Sequence, residues 1–353
     1  MLNLNENSIF NSLNEITLSV NNKKNINLGI ELLRMILSFF IVTRHFLKLK
    51  YKNTFLTEFI FYAQPFYVPL FFLISFYFSY KTFSSRNIDK IKLRFIRILI
   101  PYIIWPTLLW IRFNKSHLIS FKYNLNMFKS IFYQLLIGYD FYAVLWFQFD
   151  LIMISIIISI VIFIFKNQYL LVLKIFGIFC FLINKPYEKT LILFNKNGSI
   201  KRLNYATIYS ITGFILGSNN ILEKIKIIRY KIFFLIFPVI ILIYYFQNFL
   251  KIAFWYQILY IDTIIIFLFF LFAMLPFNLL RNQIIKRALI LITSYTGGIY
   301  YIHYGVRSIF SNYIPIIGIC DFRSCILNYL LCYLICLIGS KLFKNSILKY
   351  LFI

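Results

Sequence analysis

The chain has 353 residues, of which 61% are hydrophobic, 21% aromatic and 14% charged, with a mean hydropathy of +0.78 and a net charge of +26. A soluble domain is about 45–50% apolar and about 25% charged, so this balance excludes an ordinary globular protein and points to a polytopic all-α membrane protein. The positive charge suits anionic lipid, or nucleic acid in a soluble protein. Lys, Asn, Ile, Phe and Tyr are abundant together, which gives part of the excess a compositional origin. Clusters of basic residues therefore carry more weight than their number, and no nucleic-acid partner is expected.

In chain order, residues 1–27 are polar and rich in asparagine, without an apolar leader core. No cleaved signal peptide is expected, and the first hydrophobic helix targets the chain. Residues 28–343 form one transmembrane domain, and 344–353 a short tail. Ten spans are predicted at 28–47, 59–80, 96–112, 143–165, 168–184, 204–218, 232–248, 253–275, 288–311 and 326–343. Some fall short of the roughly 20 residues that cross a bilayer unaided.

The first span reads "ELLRMILSFFIVTRHF" and holds Glu31, Arg34, Arg44 and His45. A charge at the bilayer centre costs about 2.5–3.5 kcal/mol on insertion scales, so such residues rarely sit there idly. Arg34 and His45 are eleven residues apart; at helical geometry they lie about 20° off one line and about 16.5 Å apart along the axis. They share a face, and Glu31 stands three residues before Arg34, where it can pair with it. The competing reading makes His45 an interfacial anchor beside Arg44 and Lys48.

Between spans two and three, residues 81–97 carry Lys81, Arg86, Lys90, Lys92, Arg94 and Arg97. The loops 219–231 and 276–287 are also basic, and with ten spans all fall on one side. The positive-inside rule makes that side cytoplasmic, with both termini inside an inner (plasma) membrane. Arg94 and Arg97 stand one turn apart. Their forks suit the phosphates of a nucleotide such as coenzyme A, or they are plain topology signals. Pro101 and Pro106 are expected to bend the third helix.

The ninth span, "SYTGGIYYIHYGV" at 294–306, places His303 among tyrosines, as a hydrogen-bond centre or a catalytic group. The five cysteines form no CxxC and no Cys/His cluster, so no metal site is expected. Cys332 and Cys336 are small packing residues. Cys320 and Cys325 flank an outer loop, where a disulfide is one option.

Taken together, these stretches resemble the membrane acyltransferase-3 family. That family opens with an acidic residue, an arginine three later, and a histidine after ten intervening residues; Glu31, Arg34 and His45 match, with Glu for the usual Asp. "VPLFFLISFYF" at 68–78 looks like its Phe-rich second helix. "RFIRILIPY" looks like its RxxR before helix three. "LWFQFDLI" at 145–152, with Trp146, is similar to its LWFL segment, and "GGIYYIHYGV" to its late YLIH segment. The matching order runs over about 28–343. One departure stands out: Phe76 follows Ser75 where the family usually has glycine.

The resemblance implies transfer of an acyl group, commonly acetyl, from cytoplasmic acyl-CoA to a hydroxyl of a cell-surface glycan or lipid-linked glycan. In that scheme His45 is the general base, since an imidazole with an ordinary pKa of about 6.5 suits the task. Arg34 steers phosphate or polarises the thioester, and Arg94 and Arg97 bind the donor. Glu31, His303, Ser75 and Trp146 support the site, with Ser75 and Ser38 as candidate acyl carriers. No resident cofactor is implied; acyl-CoA is a substrate. Two other classes stay open: a saccharide export protein of the same family without transfer activity, and a structural subunit of an envelope-synthesis complex.

Overall fold

The computed structural model describes residues 27–46, 64–113, 145–183, 199–218, 254–274, 283–311 and 321–353, together with positions 129, 132 and 313. All regular structure among them is helical: α1 Leu28–Phe46, α2 Gln64–Ser84, α3 Ile88–Phe113, α4 Leu145–Phe165, α5 Tyr169–Ile183, α6 Ser199–Ser218, α7 Phe254–Met274, α8 Gln283–Ser294, α9 Thr296–Phe310 and α10 Phe322–Leu342. Short 3₁₀ turns occupy Lys166–Gln168 and Ile347–Leu351. The predicted span 232–248, the basic loop 219–231, the first part of the basic loop 276–287 and Cys320 lie outside the described residues.

Helix starts follow local chemistry. Asn27 Oδ1 accepts the backbone N–H groups of Gly29 at 3.1 Å and Ile30 at 3.2 Å, capping α1. Asn87 accepts from Lys90 N at 3.0 Å before α3, and Asp321 from Ser324 N at 2.7 Å before α10. Two tight turns use residues in the left-handed region, Arg86 at φ 51° between α2 and α3 and Lys166 at φ 41° between α4 and α5. The third helix runs through Pro101 and Pro106 without interruption, and begins at Ile88 rather than 96. The predicted span 288–311 is instead two helices, broken at Tyr295.

α1 is the central helix, and none of its described side chains is exposed. One apolar cluster joins Ile30, Leu33, Leu37 and Ile41 to α2, α3, α4, α6 and α7. A second joins Val42 to α9 and α10 through Ile299, Ile302 and Cys332. Cys332 and Cys336 are fully buried packing residues, and Cys325 is buried with Sγ 4.0 Å from the Thr43 carbonyl.

Contacts fix the directions of the neighbours. Ser38 meets Tyr329 at 2.8 Å while Thr43 meets Cys325, so α10 runs antiparallel to α1. Asn27 Nδ2 donates to Ala273 O at 2.8 Å, bringing the end of α7 to the start of α1. Among the described helices, α2 and α6 pack together most extensively, and there Gly213 and Gly217 form a GxxxG stripe. A methyl group at Gly217 would stand 2.7 Å from the Tyr77 carbonyl oxygen, and one at Gly213 would overlap the Leu73 carbonyl. Such stripes let backbones approach where lipid gives no hydrophobic drive.

The outer surface is apolar. On α10, Ile326, Leu330, Leu334, Ile338 and Leu342 repeat every four residues, and all are exposed. A long apolar stripe facing outward needs a non-aqueous neighbour. Among the described residues, the stretches Trp146–Leu182 and Phe322–Leu342 are long and apolar enough to cross a bilayer.

Candidate functional site

Arg34 and His45 lie on the same face of α1, and both reach the α8–α9 unit. Arg34 pairs with Glu31 at 2.8 Å and donates to the Thr293 carbonyl at 2.5 Å. Thr293 lies in the last turn of α8, where carbonyls lose their helical partners, so the guanidinium satisfies an acceptor at the helix break. Both contacts are made by one nitrogen, Nη2, which bridges the Glu31 carboxylate and the Thr293 carbonyl.

Three turns further along α1, Nδ1 of His45 lies 3.3 Å from the Tyr304 hydroxyl. Arg307 donates to the His45 carbonyl at 3.5 Å, closing the end of α1. The His45 ring is 5.3 Å from His303 and 5.3 Å from Tyr304, centroid to centroid. His303 is fully buried, with Nδ1 2.6 Å from the Tyr300 carbonyl. Two of the three histidines in the chain therefore meet in one aromatic nest.

Beside it lies a second polar group. Arg94 on α3 turns into the bundle and reaches Ser75 Oγ at 3.5 Å. Its guanidinium lies 5.3 Å from the Phe76 ring and 5.3 Å from the Phe83 ring. Phe76, the residue in place of the family's glycine, is thus a buried floor beneath a cation. Tyr301 on α9 lies beside Arg94 and within reach of the fully buried Gln148 on α4. Tyr301 is one helical turn from Tyr304, so polar groups run from Arg94 and Ser75 through Tyr301 to Tyr304 and His45.

Arg97 does not share this setting. It is exposed, and its guanidinium stands 5.4 Å from the ring of Tyr350 in the C-terminal 3₁₀ turn. The two arginines read as one clasp are a buried cation and a surface cation.

Trp146 begins α4 near this nest, with its neighbour Phe147 5.1 Å from Tyr300. Arg202 of α6 lies over the Trp146 ring at 5.1 Å and grips Asp150 through Nε at 2.9 Å and Nη2 at 3.2 Å. The Asp150 side chain is wholly buried. The sequence reading missed this pair, although an acid inside an apolar span is itself the signal that a partner exists. One face of α6 continues with Tyr205 and Tyr209; the Tyr209 hydroxyl donates to Asp262 of α7 and shares a hydrogen bond with the Tyr205 hydroxyl at 3.1 Å. These bonds tie α4, α6 and α7 together around the site.

Among the described residues, no group of three His, Cys, Asp or Glu side chains could hold a metal ion. What the arrangement offers is an imidazole anchored by a phenol, with a buried guanidinium and a serine hydroxyl along the same polar run. Those groups suit proton transfer and carbonyl polarisation.

A family model described as an acyltransferase domain matches residues 27–345. No curated protein and no solved structure matches the chain. The match takes in every helix described above, and the protein belongs to the acyltransferase-3 family of membrane-associated acyltransferases.

Proposed function

We propose that the protein is a ten-span O-acyltransferase of the inner membrane that moves an acyl group, acetyl in the simplest case, from cytoplasmic acyl-CoA to a hydroxyl of a cell-surface or lipid-linked glycan. The observation that carries this reading is the contact of His45 with Tyr304 and His303, at the far end of a polar run that begins at Arg94. The directions of the helices agree with it. α1 and α8–α9 run parallel while α7 and α10 run antiparallel to α1, as alternate crossings require.

In this scheme Nδ1–H of His45 donates to the Tyr304 oxygen, which leaves the Nε2 lone pair free. Nε2 takes the proton of the acceptor hydroxyl as its oxygen attacks the thioester carbonyl. The C–S bond breaks, and the imidazolium returns the proton to the departing thiolate, so acyl ester and free thiol are formed with no net proton. Arg94, desolvated by Phe76 and Phe83, polarises the carbonyl oxygen, where a fixed cation away from water acts most strongly. Arg34 is a positioning residue that fixes α1 against the α8–α9 break. Arg97 meets the phosphates of the donor. Trp146, held by Arg202, lies on the side from which the glycan arrives, and aromatic faces suit sugar rings.

The test is thiol release from acetyl-CoA by the purified full-length protein in lipid nanodiscs. Release above the protein-free rate, raised by a glycan acceptor, supports the transferase. Background release in a protein that still carries a labelled lipid-linked saccharide across vesicles would make it an exporter.

A further inference from the structure

The last residues of the chain are folded onto the bundle. Leu351 is buried, Trp105 Nε1 donates to its carbonyl at 3.3 Å, and Phe352 stacks on Phe343 with ring centroids 5.8 Å apart. Phe352 also packs against Gly339 and Gly298, where no side chain intervenes. This docking sets Tyr350 against α3. Arg97 stands 5.4 Å from its ring and Lys349 Nζ stands 5.3 Å from the same ring. The two cations are thus no farther apart than those distances laid end to end.

Two like charges gathered on one aromatic ring repel each other. Among the described residues, the ion pairs are Glu31–Arg34 and Asp150–Arg202, and no carboxylate there pairs with Arg97 or Lys349. A guanidinium over a ring still has its in-plane N–H groups to offer, and a Lys ammonium has three. An arginine fork and an ammonium that meet the same ring, at the rim of the bundle, suit an anion that carries more than one phosphate. Residues 346–353 lie past the stretch 27–345 that matches the family model.

We propose that the docked C-terminal segment supplies part of a phosphate site, in which Arg97 and Lys349, held together by Tyr350, grip the phosphates of the donor nucleotide. The inference rests on the acyl-CoA reading above and adds to it a residue, Lys349, and a segment. A phosphate could also come from a lipid headgroup, and the probe separates the two.

Adenosine 3′,5′-bisphosphate, the phosphorylated end of coenzyme A, is titrated into the full chain in phosphatidylcholine nanodiscs. Binding by the wild type is expected, with Lys349→Gln, Tyr350→Leu and Arg97→Gln each weakening it about ten-fold and Lys349→Arg retaining it. Leu351 and Phe352 stay in place, and unchanged melting temperatures confirm that the segment is still docked. Equal binding by wild type, Lys349→Gln and Tyr350→Leu overturns the inference and leaves the acyl-CoA reading standing. Absent bisphosphate binding, with anionic lipid retained by the wild type and lost from Lys349→Gln, assigns the cations to a headgroup and also overturns it. If the wild type neither binds the bisphosphate nor releases thiol from acetyl-CoA, the donor reading falls with it.

Discussion

His45 and Tyr304 meet at 3.3 Å across 259 residues of chain, the same separation that joins Arg34 to Thr293. Equal offsets at two points eleven residues apart mean that α1 and the α8–α9 unit lie parallel and in register. The arginine sets the register at one level and the histidine uses it at the other. Tyr304→Phe removes one hydrogen bond, worth about 1 kcal/mol, and should slow transfer about five-fold. Melting temperature should fall by no more than about 2–4 °C. A purely packing role for Tyr304 predicts no change in rate, since the ring remains.

Arg34 acts first on stability. Its guanidinium is only partly buried, so the loss in Arg34→Ala should be about 1–2 kcal/mol, from a stranded Glu31 and the lost bond to the Thr293 carbonyl, which still accepts from the Thr296 hydroxyl. Denaturation in detergent measures it. Glu31→Gln/Arg34→Ala should recover part of the loss by removing the stranded charge. A double variant no better than the single would place the cost at Thr293 alone.

The two arginines of α3 should separate kinetically. Arg97→Ala is expected to raise the KM for acyl-CoA while leaving kcat and melting temperature near wild type. Arg94→Ala should lower kcat and also destabilise the fold, because Phe76 and Phe83 lose the group packed on them. Arg94→Lys should rescue stability better than rate, since an ammonium cannot reproduce the fork toward Ser75. Identical kinetic profiles for both alanine variants would contradict the division between them.

At the α2–α6 crossing, Gly213→Ala should destabilise by about 1–3 kcal/mol, because its methyl meets backbone at Leu73 that cannot swing aside. The fold is expected to survive, with a lower melting temperature. An unchanged melting temperature would mean that the two helices are not packed this closely.

Periodicity and charge made much of this legible. The α1 face carrying Arg34 and His45, the pairing of Glu31 with Arg34, and helices over most predicted spans follow from local rules, because a helix is specified by neighbours three and four residues apart. What those rules missed depends on which helices pack together. The Asp150–Arg202 grip, the Tyr209–Asp262 bond and the His45–Tyr304 contact each join residues on different helices. The break at Tyr295 falls in Thr293-Ser294-Tyr295-Thr296-Gly297-Gly298, a polar, glycine-containing stretch that reads as part of one span because apolar residues flank it on both sides. Arg94 and Arg97 read as a matched pair because one turn separates them, yet Phe76 and Phe83 draw one inward while Tyr350 meets the other at the rim. The residues 344–353 read as a tail because they are short and basic. Leu351 and Phe352 are the apolar anchors that fold them back.

The central claim is that His45 is the proton acceptor in acyl transfer, and His45→Gln tests it most directly. Glutamine keeps similar bulk and can still hydrogen-bond to Tyr304, but it cannot take a proton at neutral pH. With the purified full-length variant melting like wild type, acetyl transfer from acetyl-CoA to the glycan should fall about 10²–10⁴-fold, the usual contribution of general-base catalysis. Transfer at the wild-type rate would make His45 an anchor at the end of α1 and contradict the mechanism.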